Sequence, residues 1–171
     1  LAHCCHSVVI LKSSVDDFEK IRSAVEDIAA CPITFEEIHS GAKGYYSLIE
    51  NRIVIKKDMP EAQTVKTMVH ELAHSIMHCD TEINKQLGRN EKEVQAESVA
   101  YIVSSYLGLD TSEYSFGYIG SWSKGKEITE LKESAKIIKD TSKDIIDSLS
   151  VKLELVELPV LENKTEFKMV M

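Results

Sequence analysis

No stretch of this sequence stays apolar for the roughly 18 residues that a membrane-spanning helix requires, so no helical anchor is expected. The opening LAHCCHSVVILKSS has neither the charged start nor the small-residue cleavage site of a secretory signal. Basic residues are also in short supply. Against 28 Asp and Glu stand 20 Lys and Arg, a formal net charge of −8, and no basic stripe stands out to grip a phosphate backbone. The four cysteines, Cys4, Cys5, Cys31 and Cys79, lack the spacing of a disulfide framework, and the adjacent pair in HCCH lacks the gap that lets two thiolates share a tetrahedral ion. They read as free thiols, and HCCH as a tail or terminal strand. Internal repeats, low-complexity tracts and linkers are absent. These absences lead to the expectation of a cytoplasmic chain with no membrane contact and no clear nucleic-acid partner.

What is present is ordinary globular composition, 43% hydrophobic and 28% charged over 171 residues. The expectation is a single domain spanning 1–171, with a core over about 15–150 and a tail or edge strand over 151–171. Leucine at position 1 reads as a fragment of a larger protein. Phe18, Ile21, Val25, Ile28 and Ala29 recur at helical spacing and predict a helix over 15–30. After Pro32, ITFEEI and YYSLIENRIVIKK are β-branched and aromatic runs broken by the turn residues of SGAKG and EN. Asp58 with Glu61 three positions on, and Pro60 between them, predicts a capped helix start before EAQTVKTMVHELAHSIMH. Further helices are expected over 91–107 and 126–149, the last with a stripe of Leu131, Ala135, Ile138, Ile145 and Leu149 read as core. The fold class is α+β, with a small, mostly antiparallel sheet packed against helices.

Within VHELAHSIMHCD, His70 and His74 lie one helical turn apart, so both imidazoles project from one face and can grip a single ion, with Glu71 beside them. With this composition, chance supplies such an HExxH string only roughly 0.02 times. The helix separates into a core arc, Val65, Met68, Val69, Leu72, Ala73, Ile76 and Met77, and a site arc of Thr67, His70, Glu71 and His74. His78, about 6 Å beyond His74 and rotated about 80° from His70, cannot readily share the ion and is expected to cap the helix or line the cleft.

A catalytic zinc site has three protein ligands and an open position, so one ligand must come from elsewhere. Glu93 and Glu97 lie four apart in EVQAESVAYIVSSYLG, with the small residues Ala96, Ala100 and Ser104 flanking their face and Val94, Val99, Ile102 and Val103 turned to the buried side. With Glu93 as ligand, Glu97 would stand where a carboxylate accepts the outer N–H of a zinc-bound imidazole. Two bland readings compete: Asn90 with Glu93 is itself a capping pattern, and Glu97 could be a surface charge.

HELAH followed after eighteen residues by EVQAESVA resembles the gluzincin metallopeptidases. It is most similar to ImmA/IrrE-type enzymes and to the zincin domains of LtrC-like and ArdC-like proteins of conjugative elements, over about residues 40–150. The resemblance implies a minimal zincin fold with one Zn2+ held by His70, His74 and Glu93, Glu71 as general base and Glu97 behind the ligands. It implies hydrolysis of a protein or peptide substrate, with a zinc-binding regulatory or antirestriction-associated domain as the alternative. An electrophile for the oxyanion is expected, with Tyr114, Tyr118 and His39 as candidates and none preferred. The strand around GYYSLIE, if it forms the sheet edge above the site helix, could take an extended peptide as an added strand, although Tyr45 and Tyr46 also suit ordinary packing.

Overall fold

The computed structural model describes residues 15–79, 82, 87–109 and 128–153, and places the β-branched run Ile53, Val54 and Ile55 at the centre of a three-stranded sheet. The order along the chain is α1 (Val15–Ile28), β1 (Ile33–Glu36), β2 (Gly44–Ser47), β3 (Arg52–Lys56), α2 (Glu61–Met77), α3 (Arg89–Tyr106) and α4 (Ile128–Lys152). The α+β class holds. Of the two sheet pairings only β2–β3 is antiparallel, because the sheet order is β1-β3-β2 and β1 runs parallel to β3. A tight hairpin joins β2 to β3, while the 37–43 loop carries the chain past the central position to the far edge. Alternation of residue types cannot reveal that step.

Register assigns the faces. Ile53 and Ile55 pair with Ile33, Phe35, Tyr46 and Gly44, and this face lies against the helices. Val54 points the other way between Thr34 and Tyr45. The turns fall where the sequence placed them, and Asn51 and Asp58 adopt left-handed φ angles of 47° and 57°, which Asn and Asp tolerate better than most residues. Asp58 therefore does not cap α2. Pro60 occupies the cap position with no side-chain cap, and Thr64 Oγ1 donates instead to the Pro60 carbonyl at 3.1 Å.

Val65, Met68, Val69, Leu72 and Ala73 bury the core arc of α2, with Met77 packed against them. Ile76 does not follow; it stands half exposed at the helix end. On α3, Val94, Val99 and Val103 are buried and Ile102 is not, while Ala96 and Ala100 are fully buried and let α3 approach α2 closely. Helix α4 packs on α3 and α1, a core element as expected, through Ile145, Ile146 and Leu149. In its first half Ser134 is buried and Ala135 exposed, so the stripe turns polar there. The helix also runs to Lys152, into the span expected to be tail. Cys31 and Cys79 are free, as expected; Cys4 and Cys5, and the tail beyond residue 153, lie outside the described residues. Among those described, no helix is long and apolar enough to cross a membrane.

Candidate metal centre

The geometry of α2 is what presents His70 and His74 together: four residues at about 100° each return to the same face one turn along. Their Nε2 atoms are 3.2 Å apart. Glu93, from the first turns of α3, reaches across with Oε2 at 3.5 Å from His70 Nε2 and 3.8 Å from His74 Nε2. Two atoms bound to one tetrahedral zinc at about 2.0–2.1 Å lie about 3.3 Å apart, so three protein atoms of the right kind converge on one point at nearly the required spacing. The residues fit a metal ion, and two nitrogens with one carboxylate oxygen suit zinc.

Glu93 is not a helix cap. Helix α3 begins at Arg89 with Gly88 at the cap position, which places Asn90 inside the helix, and no side-chain cap bond forms. Nor is Glu97 a surface charge. It is buried, with Oε1 accepting from Lys66 Nζ at 2.5 Å and Oε2 3.3 Å from His70 Nδ1. Lys66 stands one turn before His70 on the same face, a functional neighbour whose only sequence signal is that i, i+4 spacing. Its ammonium neutralises Glu97 and leaves the second oxygen to orient the His70 ring.

His78 takes the corresponding place behind the other histidine. It is the C-cap residue of α2 and is buried, with Nδ1 2.9 Å from His74 Nδ1. Both outer nitrogens thus have partners, and both inner nitrogens face the convergence point. Burial first of all, helped by the positive charges of His74 and Lys92 and only partly opposed by Gln95 and Glu93, depresses the His78 imidazole to about 4, which keeps it neutral. Burial also works against charge on His70, but hydrogen bonds to Glu93 and Glu97 outweigh it and push that imidazole up to about 9 in the metal-free protein. Bonds from His70 and His74 hold the Glu93 carboxyl well below the usual carboxylate range.

Glu71 is buried beside this cluster and accepts the backbone N–H of Tyr46. Its carboxyl is raised, because burial outweighs the pull of His70 and His74. That contact requires β2 to lie directly on α2, and Gly44 permits it. A Cβ there would stand 2.8 Å from Thr67 Cγ2, 3.0 Å from the Val54 carbonyl oxygen and 3.2 Å from Glu71 Cγ. The resulting cleft encloses 1010 Å³, with His70, Glu71 and His74 on its floor, Glu93 on one wall and the 41–46 segment on the other. Tyr45 and Tyr46 both line it, and Tyr46 also packs against the core and donates to Asn51 Oδ1 at 3.3 Å. His39 is exposed in the β1–β2 loop, outside the cleft wall. Tyr114 and Tyr118 lie outside the described residues.

The chain matches the family described as "Putative metallopeptidase family (DUF6782)" over residues 3–97, more than half its length and a span that contains every residue of this cluster. It is also 30% identical over 122 residues to an uncharacterized protein of Bacillus anthracis, pXO2-81. That alignment takes in 68% of this chain and 20% of the relative, so the chain spans about a fifth of the relative's length. No solved structure matches.

Proposed function

We propose, from the premise that this chain belongs to that metallopeptidase family, that it hydrolyses peptide bonds of a protein or peptide substrate with one zinc ion held by His70, His74 and Glu93. The observation that carries this reading is the convergence of two imidazole nitrogens and a carboxylate oxygen at the floor of an open cleft, with a second, raised carboxyl beside them. Zinc, when bound, supplies Lewis acidity that brings a coordinated water to a pKa of about 7 and polarises the substrate carbonyl. Glu71 takes the proton of the attacking water on its carboxylate and returns it to the departing amide nitrogen. Its raised pKa suits both halves of that exchange. The Tyr46 N–H holds one end of the carboxylate in place.

The substrate backbone lies along β2, whose outer side is the edge of the sheet above the site helix, so an extended peptide adds as a fourth strand. Tyr45 then faces the substrate's side chains, and Tyr46 is structural. The motif order, HExxH followed by the glutamate of a second helix, supports a gluzincin type with a minimal zincin fold. It tells against the alternative of a zinc-binding regulatory or antirestriction-associated domain, which needs no carboxylate at position 71.

Glu71→Gln keeps shape and metal ligands and removes only the proton acceptor. The variant is expected to bind zinc as the wild type does and to lose cleavage of a denatured-protein substrate by on the order of a hundredfold or more. Equal cleavage by the two proteins would refute the base assignment.

A further inference from the structure

Behind His74 the hydrogen bonding does not stop at His78. His78 Nε2 is 3.0 Å from Gln95 Oε1 on α3, Gln95 Nε2 donates to Ser134 Oγ on α4 at 3.0 Å, and Ser134 Oγ donates to Glu91 Oε1 at 3.3 Å. Gln95 and Ser134 are 1% and 2% exposed, and His78 5%. A glutamine and a serine this deeply buried between helices each cost stability unless their polar atoms are satisfied. Here every one of them is used in the chain.

The direction of the chain is determined at one end. A histidine that offers Nε2 to a metal carries its proton on Nδ1, so His74 Nδ1 donates and His78 Nδ1 accepts. His78 then carries its proton on Nε2, and the amide oxygen of Gln95 is the acceptor found there. The amide nitrogen of Gln95 must donate onward, and the Ser134 hydroxyl accepts it and passes its own hydrogen to the Glu91 carboxylate. All four bonds agree with one polarity, the one that readies His74 as a metal ligand.

We infer that His78, Gln95, Ser134 and Glu91 form a positioning chain that locks the tautomer and ring angle of His74, so that metal affinity depends on the hydroxyl that Ser134 of α4 supplies. This rests on the reading of His74 as a ligand. It separates the two histidines: Lys66 and Glu97 hold His70 by charge, whereas a hydrogen-bonded chain through Gln95 of α3 and Ser134 of α4, ending on the Glu91 carboxylate, holds His74.

The test is zinc affinity of the full chain, measured by competition with a chromophoric chelator, alongside thermal unfolding of the metal-free protein. His78→Phe is expected to weaken zinc by 10–100-fold, the usual effect of losing a ligand's hydrogen-bond partner. Ser134→Ala, far from the metal, should weaken it measurably, and Ser134→Thr, which keeps the hydroxyl, should restore it. Ile145→Val, a core change on the same helix, should lower the unfolding temperature without changing affinity. In cobalt-loaded protein, His78→Phe and Ser134→Ala should shift the visible absorption bands, and Ile145→Val should not. Wild-type affinity in Ser134→Ala, or an affinity loss in Ile145→Val equal to that in Ser134→Ala, overturns the chain even if His78→Phe fails to fold. A wild type that binds no zinc overturns the ligand reading as well. Loss of zinc in His74→Ala alone, with Ser134→Ala unchanged, overturns the positioning chain and spares the ligand reading.

Discussion

Glu97 illustrates how one carboxylate can serve two cations. Its two oxygens divide between Lys66 and His70, so the buried charge is fully paired while it orients a ring whose other nitrogen faces the cleft. The consequence for His70 is a linked equilibrium. Its metal-free pKa, about 9 against an ordinary 6.5, is raised, so its contribution to metal-free stability is complete below 6.5 and is lost as the pH climbs through 9. Zinc takes the neutral ring, so binding between those limits must expel a proton. Apparent zinc affinity should therefore rise about tenfold per pH unit from 7 toward 9 and then level off, as measured by chelator competition. An affinity independent of pH across that range would contradict the pairing. The sequence made His70, His74, Glu71 and the two later glutamates visible as a pattern, because helical spacing is simple arithmetic. Gln95 and Ser134 stayed hidden because nothing about an isolated glutamine or serine announces what it will be buried against.

At the level of elements, amphipathic periodicity located all four described helices to within a few residues, and the small face of Ala96 and Ala100 announced the close contact of α3 with α2. It failed where the signal is not periodic. Strand order depends on which way a loop crosses the sheet, and the start of α2 depends on Asp58 entering a left-handed turn instead of capping. The critical junction is β2 on α2. Gly44→Ala puts a methyl group within 3.0 Å of the Val54 backbone oxygen and closer still to Thr67, so strand and helix must separate. The expected cost is about 1–3 kcal/mol of stability by denaturant unfolding. Peptidase activity should fall on the order of tenfold or more, since Tyr46 moves off Glu71. Wild-type stability and activity in this variant would show that the strand does not position the base.

At the scale of the molecule, a chain of formal net charge −8 carries a cleft where His70, His74 and three glutamates meet on two helices, with β2 along one side. Membership of a metallopeptidase family and the convergence of His70, His74 and Glu93 are separate observations, and the three residues fall within the matched span 3–97. Helix α4 lies beyond that span, and the positioning chain gives it a reason to matter to the site. The most direct measurement of the central claim is elemental analysis of protein purified without added metal, wild type beside Glu93→Ala. About one equivalent of zinc in the wild type and a large loss in the variant, with both folded, is the expected result. A folded wild type that remains metal-free when supplied with zinc, or a variant that holds the full equivalent as tightly, would contradict it.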